Sequence, residues 1–490
     1  MMNDSRHEIA KHGPQQLASE FLDAFRSSGV YLRENVARLA SQAASENAEV
    51  AESASGAFFT SLVEPLADSF EPRAVTLYNR VFAQVIQACR ATGRGRAIDS
   101  HLAGFGLRSE EDLIARAESL RLRPALDRLR ERPSSVRRII LLSRVTLGAD
   151  VAITSVIVER MRREFPAAEI ALAGGRKAAE LFGGDGLLSF KEVGYRRAGT
   201  VIERLLSWVD LLGVVRELTG GLSASEFLIV DPDTRLTQLG LLPLTGNDDQ
   251  YLFFPSREYG GTTSEPLGQL TSAWLGDVFG SRQEIYPRLS LARADLDRAG
   301  DVVMRLRRAS ARPVVAINFG VGENPAKRVN DEFETSLVTR LISEGATVIL
   351  DRGAGEDETR RCEAIIKCAR ESRNLRAVEF DERELANLLR GDSIDAELMV
   401  WSGRIGMLAA LISKSDLYIG YDSAGQHIAA ALGVPSIDVF AGFASARMLD
   451  RWRPTGIARS RVISARDADA SALLTEALRV AREMLEGGRR

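Results

Sequence analysis

Four stretches of this sequence place reactive side chains where an apolar run ends and glycine begins. In SRVTLGAD, Gly148 permits a sharp turn and Asp150 stands at the start of the following helix. A carboxylate there suits a general base; the same spacing also suits a plain helix cap, and the residues alone leave both open. In NFGVGENPAKR, Gly320 and Gly322 let the backbone turn close to a ligand. Lys327 and Arg328 then offer two cations for phosphate oxygens, or simply the surface charges of a loop.

The third stretch, GYDSAGQHIAAALGVP, is the most informative. Asp422, Ser423, Ala424 and Gly425 lead into a helix of small residues whose first N–H groups and positive dipole end make an anion site. His427 falls in its first turn. A lone histidine in tight packing is the plainer alternative, but aspartate, serine, glycine and histidine converging at one strand end favour a ligand. In VILDRGAGEDE, Glu356 and Glu358 follow Gly353 and Gly355. Either accepts from ribose hydroxyls or is solvated charge. The sequence holds neither the G-x-x-x-x-G-K-[ST] phosphate cradle nor a G-x-S-x-G nucleophile elbow.

Alternating strands and helices must position these turns. RRIILLSRV, EIALAGG, LLSFKEVG and EFLIVDPD read as strands separated by helices near Ser155–Phe165 and Thr200–Glu217. This is the grammar of a parallel sheet covered on both faces. It pauses near Asp277–Ala299 and resumes with PVVAINFG, ATVILDRG, LRAVEF, DLYIGYD and VPSIDVF. A hinge is expected near residues 295–312. Asp331, with Glu334 three residues on, reads as a capping pair for the helix 331–344. Residues 1–135 lack β-branched runs and carry apolar residues at helical spacing, such as Leu17, Phe21 and Phe25 or Val75, Leu77, Val81 and Val85. The expectation is an α/β protein of two doubly wound Rossmann-like lobes facing a cleft, 136–300 and 301–490, preceded by an all-helical domain, 1–135. Residues 132–135, Arg-Pro-Ser-Ser, read as the linker.

Bulk properties agree. At about 150 residues per domain, 490 residues suggest three domains. A net charge of −3 provides no basic field for nucleic acid. Three cysteines, Cys89, Cys362 and Cys368, fit neither a disulfide framework nor a zinc site, which points to a reducing cytoplasm. The four histidines, at 7, 12, 101 and 427, are scattered, so no histidine metal cluster is expected. The N-terminus lacks the apolar region of a signal peptide, and no run reaches the ~18 residues of a spanning helix.

From Val136 onward the chain resembles glycosyltransferase family 9, the ADP-heptose lipopolysaccharide heptosyltransferases of GT-B fold. LLSRVTLGADVAITSVIVERM is similar to that family's opening strand and Leu-Gly-Asp turn, NPAKRVNDEF to its Lys-Arg loop, and DLYIGYDSAGQHIAAALGVP to its signature. The resemblance implies inverting, metal-independent transfer from a nucleotide sugar, with heptose a candidate sugar and no cofactor. It implies Asp150 as general base, and Lys327 with the N–H groups near Ser423 and Gly425 as stabilisers of the departing diphosphate. Arg328, Asp422, Ala424 and His427 would line the donor site, and Glu356 would contact the ribose. The acceptor would be a glycan, a protein or a small molecule, and membrane contact would be at most peripheral. Ala149 and Ala424 depart from the family's glycines, Val329 from its usual tryptophan and Asn318 from its frequent histidine. The alternatives are a catalytically inactive GT-B protein that binds a glycan or partner, and, more weakly, an epimerase or phosphorylase.

Overall fold

The computed structural model describes residues 13–122 and 135–487, apart from 323, 374 and 467. The proposed linker residues 132–134 lie outside them. Two wholly parallel sheets form the frame. The first contains β1 (Arg138–Leu142), β2 (Glu169–Gly174), β3 (Leu188–Glu192), β4 (Phe227–Asp231) and β5 (Tyr251–Phe253), in the order β3-β2-β1-β4-β5. The second contains β6 (Val314–Asn318), β7 (Thr347–Asp351), β8 (Ala377–Phe380), β9 (Leu398–Trp401), β10 (Leu417–Tyr421), β11 (Ser436–Phe440) and β12 (Ser460–Ser464). Its order is β12-β11-β10-β6-β7-β9-β8. Strands β5, β9 and β12 went unread in the sequence: β5 and β9 are only three and four residues long, and β12 (SRVIS) carries no continuous apolar run.

Alternation along β1 divides the first lobe's core. Ile139 and Leu141 face the helices over 147–164 and Leu267–Phe279, while Ile140 and Leu142 face the N-terminal helices and Val201–Thr219. The described part of 1–135 is all helical, with its longest helix at Pro72–Arg90. Its core is continuous with this sheet face, and polar bonds tie it down: Tyr78 Oη to Gln238 Oε1 (3.0 Å) and Val201 N to Ser55 Oγ (3.0 Å). No helix among the described residues is long and apolar enough to cross a membrane.

Two local expectations change. Residues 293–309 form a helix rather than a hinge, because Ala299, Val302, Val303 and Leu306 supply a buried stripe at three- and four-residue spacing. The chain crosses between lobes just before it, in an extended stretch. The helix Asp331–Ser343 is capped by Asn330, whose side chain accepts from Phe333 N (2.8 Å). Glu334 instead points inward, 1 % exposed, and accepts from Arg328 Nε (2.9 Å) and Arg361 Nη1 (2.6 Å). Deleting one member of a buried charge group strands the others. Glu334→Ala is therefore expected to lower unfolding free energy by about 3–5 kcal/mol in urea titration.

Candidate functional site

In an open parallel sheet, a crevice forms beyond the carboxyl ends of the strands where strand order reverses. The first sheet reverses between β1 and β4, the second between β6 and β10. The turn carrying Asp150 leaves β1. The loop carrying Lys327 leaves β6, and Asp422 to His427 leave β10. The two reversal points meet: a Cβ built on Gly148 would lie 3.3 Å from Ala424 Cα and 3.3 Å from His427 Cδ2.

On the second lobe, Asp422 links the parts. Its Oδ2 accepts from Lys327 Nζ at 2.6 Å and its Oδ1 from Gln426 Nε2 at 2.9 Å. Lys327 ends a short 3-10 turn (Pro325–Lys327) capped by Asn324, so its ammonium is aimed rather than free. Ser423 occupies the N-cap position of the helix Ala424–Ala431 but makes no capping bond, leaving first-turn N–H groups for a ligand. The departure Ala424-Gly425 has a physical reason. A Cβ on Gly425, like one on Gly420, would overlap the hydroxyl of buried Tyr418 beneath the helix start. Bare backbone is thus required at 425, whereas half-buried Ala424 tolerates a methyl group.

On the first lobe, Asp150 is 3 % exposed. Its carboxylate accepts from Ser143 Oγ (2.6 Å), Arg144 N (2.7 Å) and Thr154 Oγ1 (2.9 Å). These bonds clamp the turn after β1, where Val145 adopts φ 61°, a conformation β-branched residues avoid. The sharp bend therefore sits at Val145. Gly148 lies within the first helical turn, and its lack of a side chain lets the lobes touch. Asp150 is neither an open carboxylate nor a simple cap, since it bonds the turn upstream of its helix. Burial pushes its carboxyl above the usual carboxylate range.

Arg328 is not available to a donor: it is bound to Asp331 Oδ1 (2.5 Å) and to Glu334 (2.9 Å). Glu356 is exposed on the first turn of the helix Glu356–Arg373, after β7 and one strand from the reversal point. Glu358 folds back on that loop, accepting from Ala354 N (2.8 Å). The reading from sequence passed over Asp351, which ends β7 and accepts from Asn318 Nδ2 at 2.5 Å. Burial, with Glu358 nearby, pushes it up to about 6. Also missed were Gln426 and Trp452. Gln426 Nε2 donates to Trp452 O (3.2 Å), and the Trp452 ring meets His427 edge-on at 5.9 Å. A lone tryptophan in a 50-residue stretch with no glycine pattern around it gives little signal.

Burial pulls His427 down to about 4, so a neutral imidazole faces this site at neutral pH. Its folded value lies below the unfolded value of about 6.5, so on acidification the unfolded chain takes up the proton first. That stability is complete above about pH 6.5 and is lost toward pH 4, on the order of 3 kcal/mol in all. Chemical denaturation across this window should show a flatter acid limb for His427→Asn. Gly425→Ala should cost about 1–3 kcal/mol through overlap with Tyr418. Tyr418→Phe in the same chain should recover part of that loss in melting experiments.

The sequence profile of glycosyltransferase family 9 (heptosyltransferase) matches residues 402–470, which include Asp422 to His427 and Trp452. No curated protein matches the sequence. The solved glycosyl transferase family 9 protein from Veillonella parvula DSM 2008 shares 14 % identity, with 72 % of this chain and 97 % of that chain covered at a TM-score of 0.50. The ADP-heptose lps heptosyltransferase II of E. coli shares 14 % identity, with 72 % and 100 % covered at a TM-score of 0.50. With the profile match at the second lobe's reversal point and the same two-sheet fold, the chain is similar to glycosyltransferase family 9 in its two α/β lobes, and it also carries an N-terminal helical region.

Proposed function

We propose that this protein is an inverting glycosyltransferase that moves a sugar from a nucleotide-sugar donor to an acceptor hydroxyl without a required metal ion. The observation that carries this reading is the meeting of Lys327, the uncapped start of the Ala424–Ala431 helix and the Gly148 turn at the two reversal points. A diphosphate at that helix start would face N–H groups and an ammonium. Both grow more favourable as the leaving diphosphate gains charge. Neutral His427 would offer a hydrogen bond to the sugar or phosphate without adding charge.

In this reading Asp150 takes the acceptor proton while the hydroxyl oxygen attacks the anomeric carbon opposite the diphosphate. The upward shift of its carboxyl, caused by burial, makes it a stronger base than an exposed carboxylate. Its Oδ2 accepts one hydrogen bond, from Ser143, and so retains a lone pair. Lobe opening would have to expose it to the acceptor. The relatives make ADP-heptose the first donor to test. The acceptor is a glycan, a protein or a small molecule, reached in the cytoplasm with at most peripheral membrane contact. Glu356 remains a ribose contact only if the base extends over β7.

A second reading, a GT-B protein that binds a glycan or partner without turnover, is favoured by the burial and threefold bonding of Asp150. Transfer and hydrolysis assays over a panel of nucleotide sugars separate the two. Asp150→Asn should lower turnover about 10²–10⁴-fold and leave donor affinity within about twofold, with the melting temperature followed alongside. Binding with no turnover by the wild type would establish the second reading. Lys327→Ala should weaken nucleoside-diphosphate binding by about tenfold or more in calorimetry, the loss of one charge-assisted bond. Unchanged affinity would remove Lys327 from the donor site.

A further inference from the structure

The N-terminal helices pack mainly on the first sheet, but one residue of theirs reaches the other lobe. Leu66, Ala67, Ala74 and Leu77 belong to the core shared with that sheet, whereas Phe70 between them belongs to the core that joins the two lobes. Phe70 is 2 % exposed and has φ 54°, a left-handed conformation that a phenylalanine avoids. The turn that holds it is fixed on both sides. Ser69 Oγ donates to Leu66 O (2.9 Å), and Pro72 starts the next helix.

Phe70 lies against the helix Ala446–Trp452 of the second lobe. Its ring meets Trp452 edge-on at 6.1 Å, and its carbonyl accepts from Arg447 Nη1 at 2.8 Å. The same short helix is gripped by the first lobe, where Arg451 Nη1 donates to Glu265 O (2.8 Å) and Arg453 Nη2 to Ser264 O (2.7 Å). Trp452 in turn contacts His427 by its ring and Gln426 by its carbonyl, and Gln426 holds Asp422, the partner of Lys327. Contacts thus run without a break from Phe70 to the first turn of the anion-binding helix.

We propose that Phe70 is a positioning residue of the donor site, supplied by the N-terminal helical region: through Trp452 it sets His427, Gln426 and the start of the Ala424–Ala431 helix for a nucleoside diphosphate. The proposal rests on the donor-site reading above for its ligand, but not for its mechanical part. Phe70 touches no reacting group. It acts by filling the space behind Trp452 in a backbone conformation that the turn imposes.

The test is Phe70→Gly, which removes the ring while accepting the left-handed backbone. Calorimetric titration with ADP, UDP and GDP should show at least a fivefold weaker dissociation constant for the diphosphate that the wild type binds. Trp452→Ala should weaken it similarly, and the double variant should be no weaker than either single one, since both break one line of contacts. Wild-type affinity in folded Phe70→Gly, or additive losses, would overturn the proposal. A merely structural role would lower the melting temperature and leave affinity intact, which also overturns it. If the wild type binds no nucleoside diphosphate, the donor-site reading fails and hydrogen exchange decides the mechanical part. Amides 424–427 should exchange faster in Phe70→Gly, and unchanged protection would overturn the coupling. Should Phe70→Gly not fold, half-buried Arg447→Ala replaces it: at least a twofold loss of affinity or faster exchange at the same amides is expected, and the absence of both overturns the proposal.

Discussion

Two α/β lobes can meet at their ligand-bearing edges only where the backbones leave room. Here that room exists because position 148 has no side chain: the turn after β1 lies against Ala424 and His427 at van der Waals distance. A side chain there would crowd Ala424 and His427, which would have to give way. The shared apolar core follows from this contact. Val151 and Ile153 on one side and Ile428, Ala429 and Phe440 on the other form one buried cluster. Glycine is required again at 420 and 425, where the Tyr418 hydroxyl occupies the space that a Cβ would take.

Charge in the site is divided between fixed and available groups. Arg328, Glu334 and Arg361 satisfy one another in the interior and hold the loop after β6. On the first lobe, Arg144 and Arg257 share Asp233, and burial pushes the Arg144 guanidinium down to about 9. What remains facing the junction is the Lys327 ammonium, steadied by Asp422, together with a helix start and a neutral histidine. Such a set combines the charge-assisted and dipolar contacts that the proposed diphosphate would use.

The helical region is not an appendage. It shares the apolar cover of one face of the first sheet with Val201–Thr219, and through Phe70 it also reaches the second lobe. The solved structures that resemble this chain align over 72 % of it.

Much of the fold was legible in the residues. Continuous apolar runs such as IILL and FLIV determine parallel strands locally, and the helical spacing of 14–122 determines helices there. The turn from β10 into the Ala424–Ala431 helix was legible for the same reason: Asp422, Ser423 and Gly425 lie within four positions of one another, so their convergence is local. Other features depend on groups distant in sequence. The fate of Arg328 depended on Glu334 being turned inward toward Arg361, and the closure of Asp150 on a left-handed Val145 and on Ser143 and Thr154. The reach of Phe70 depended on a tryptophan more than 350 residues away. Periodicity reports which face of an element is apolar. It does not report which distant group arrives there, because long-range packing chooses among many locally equivalent arrangements, and that choice decided which partner each of these charges meets.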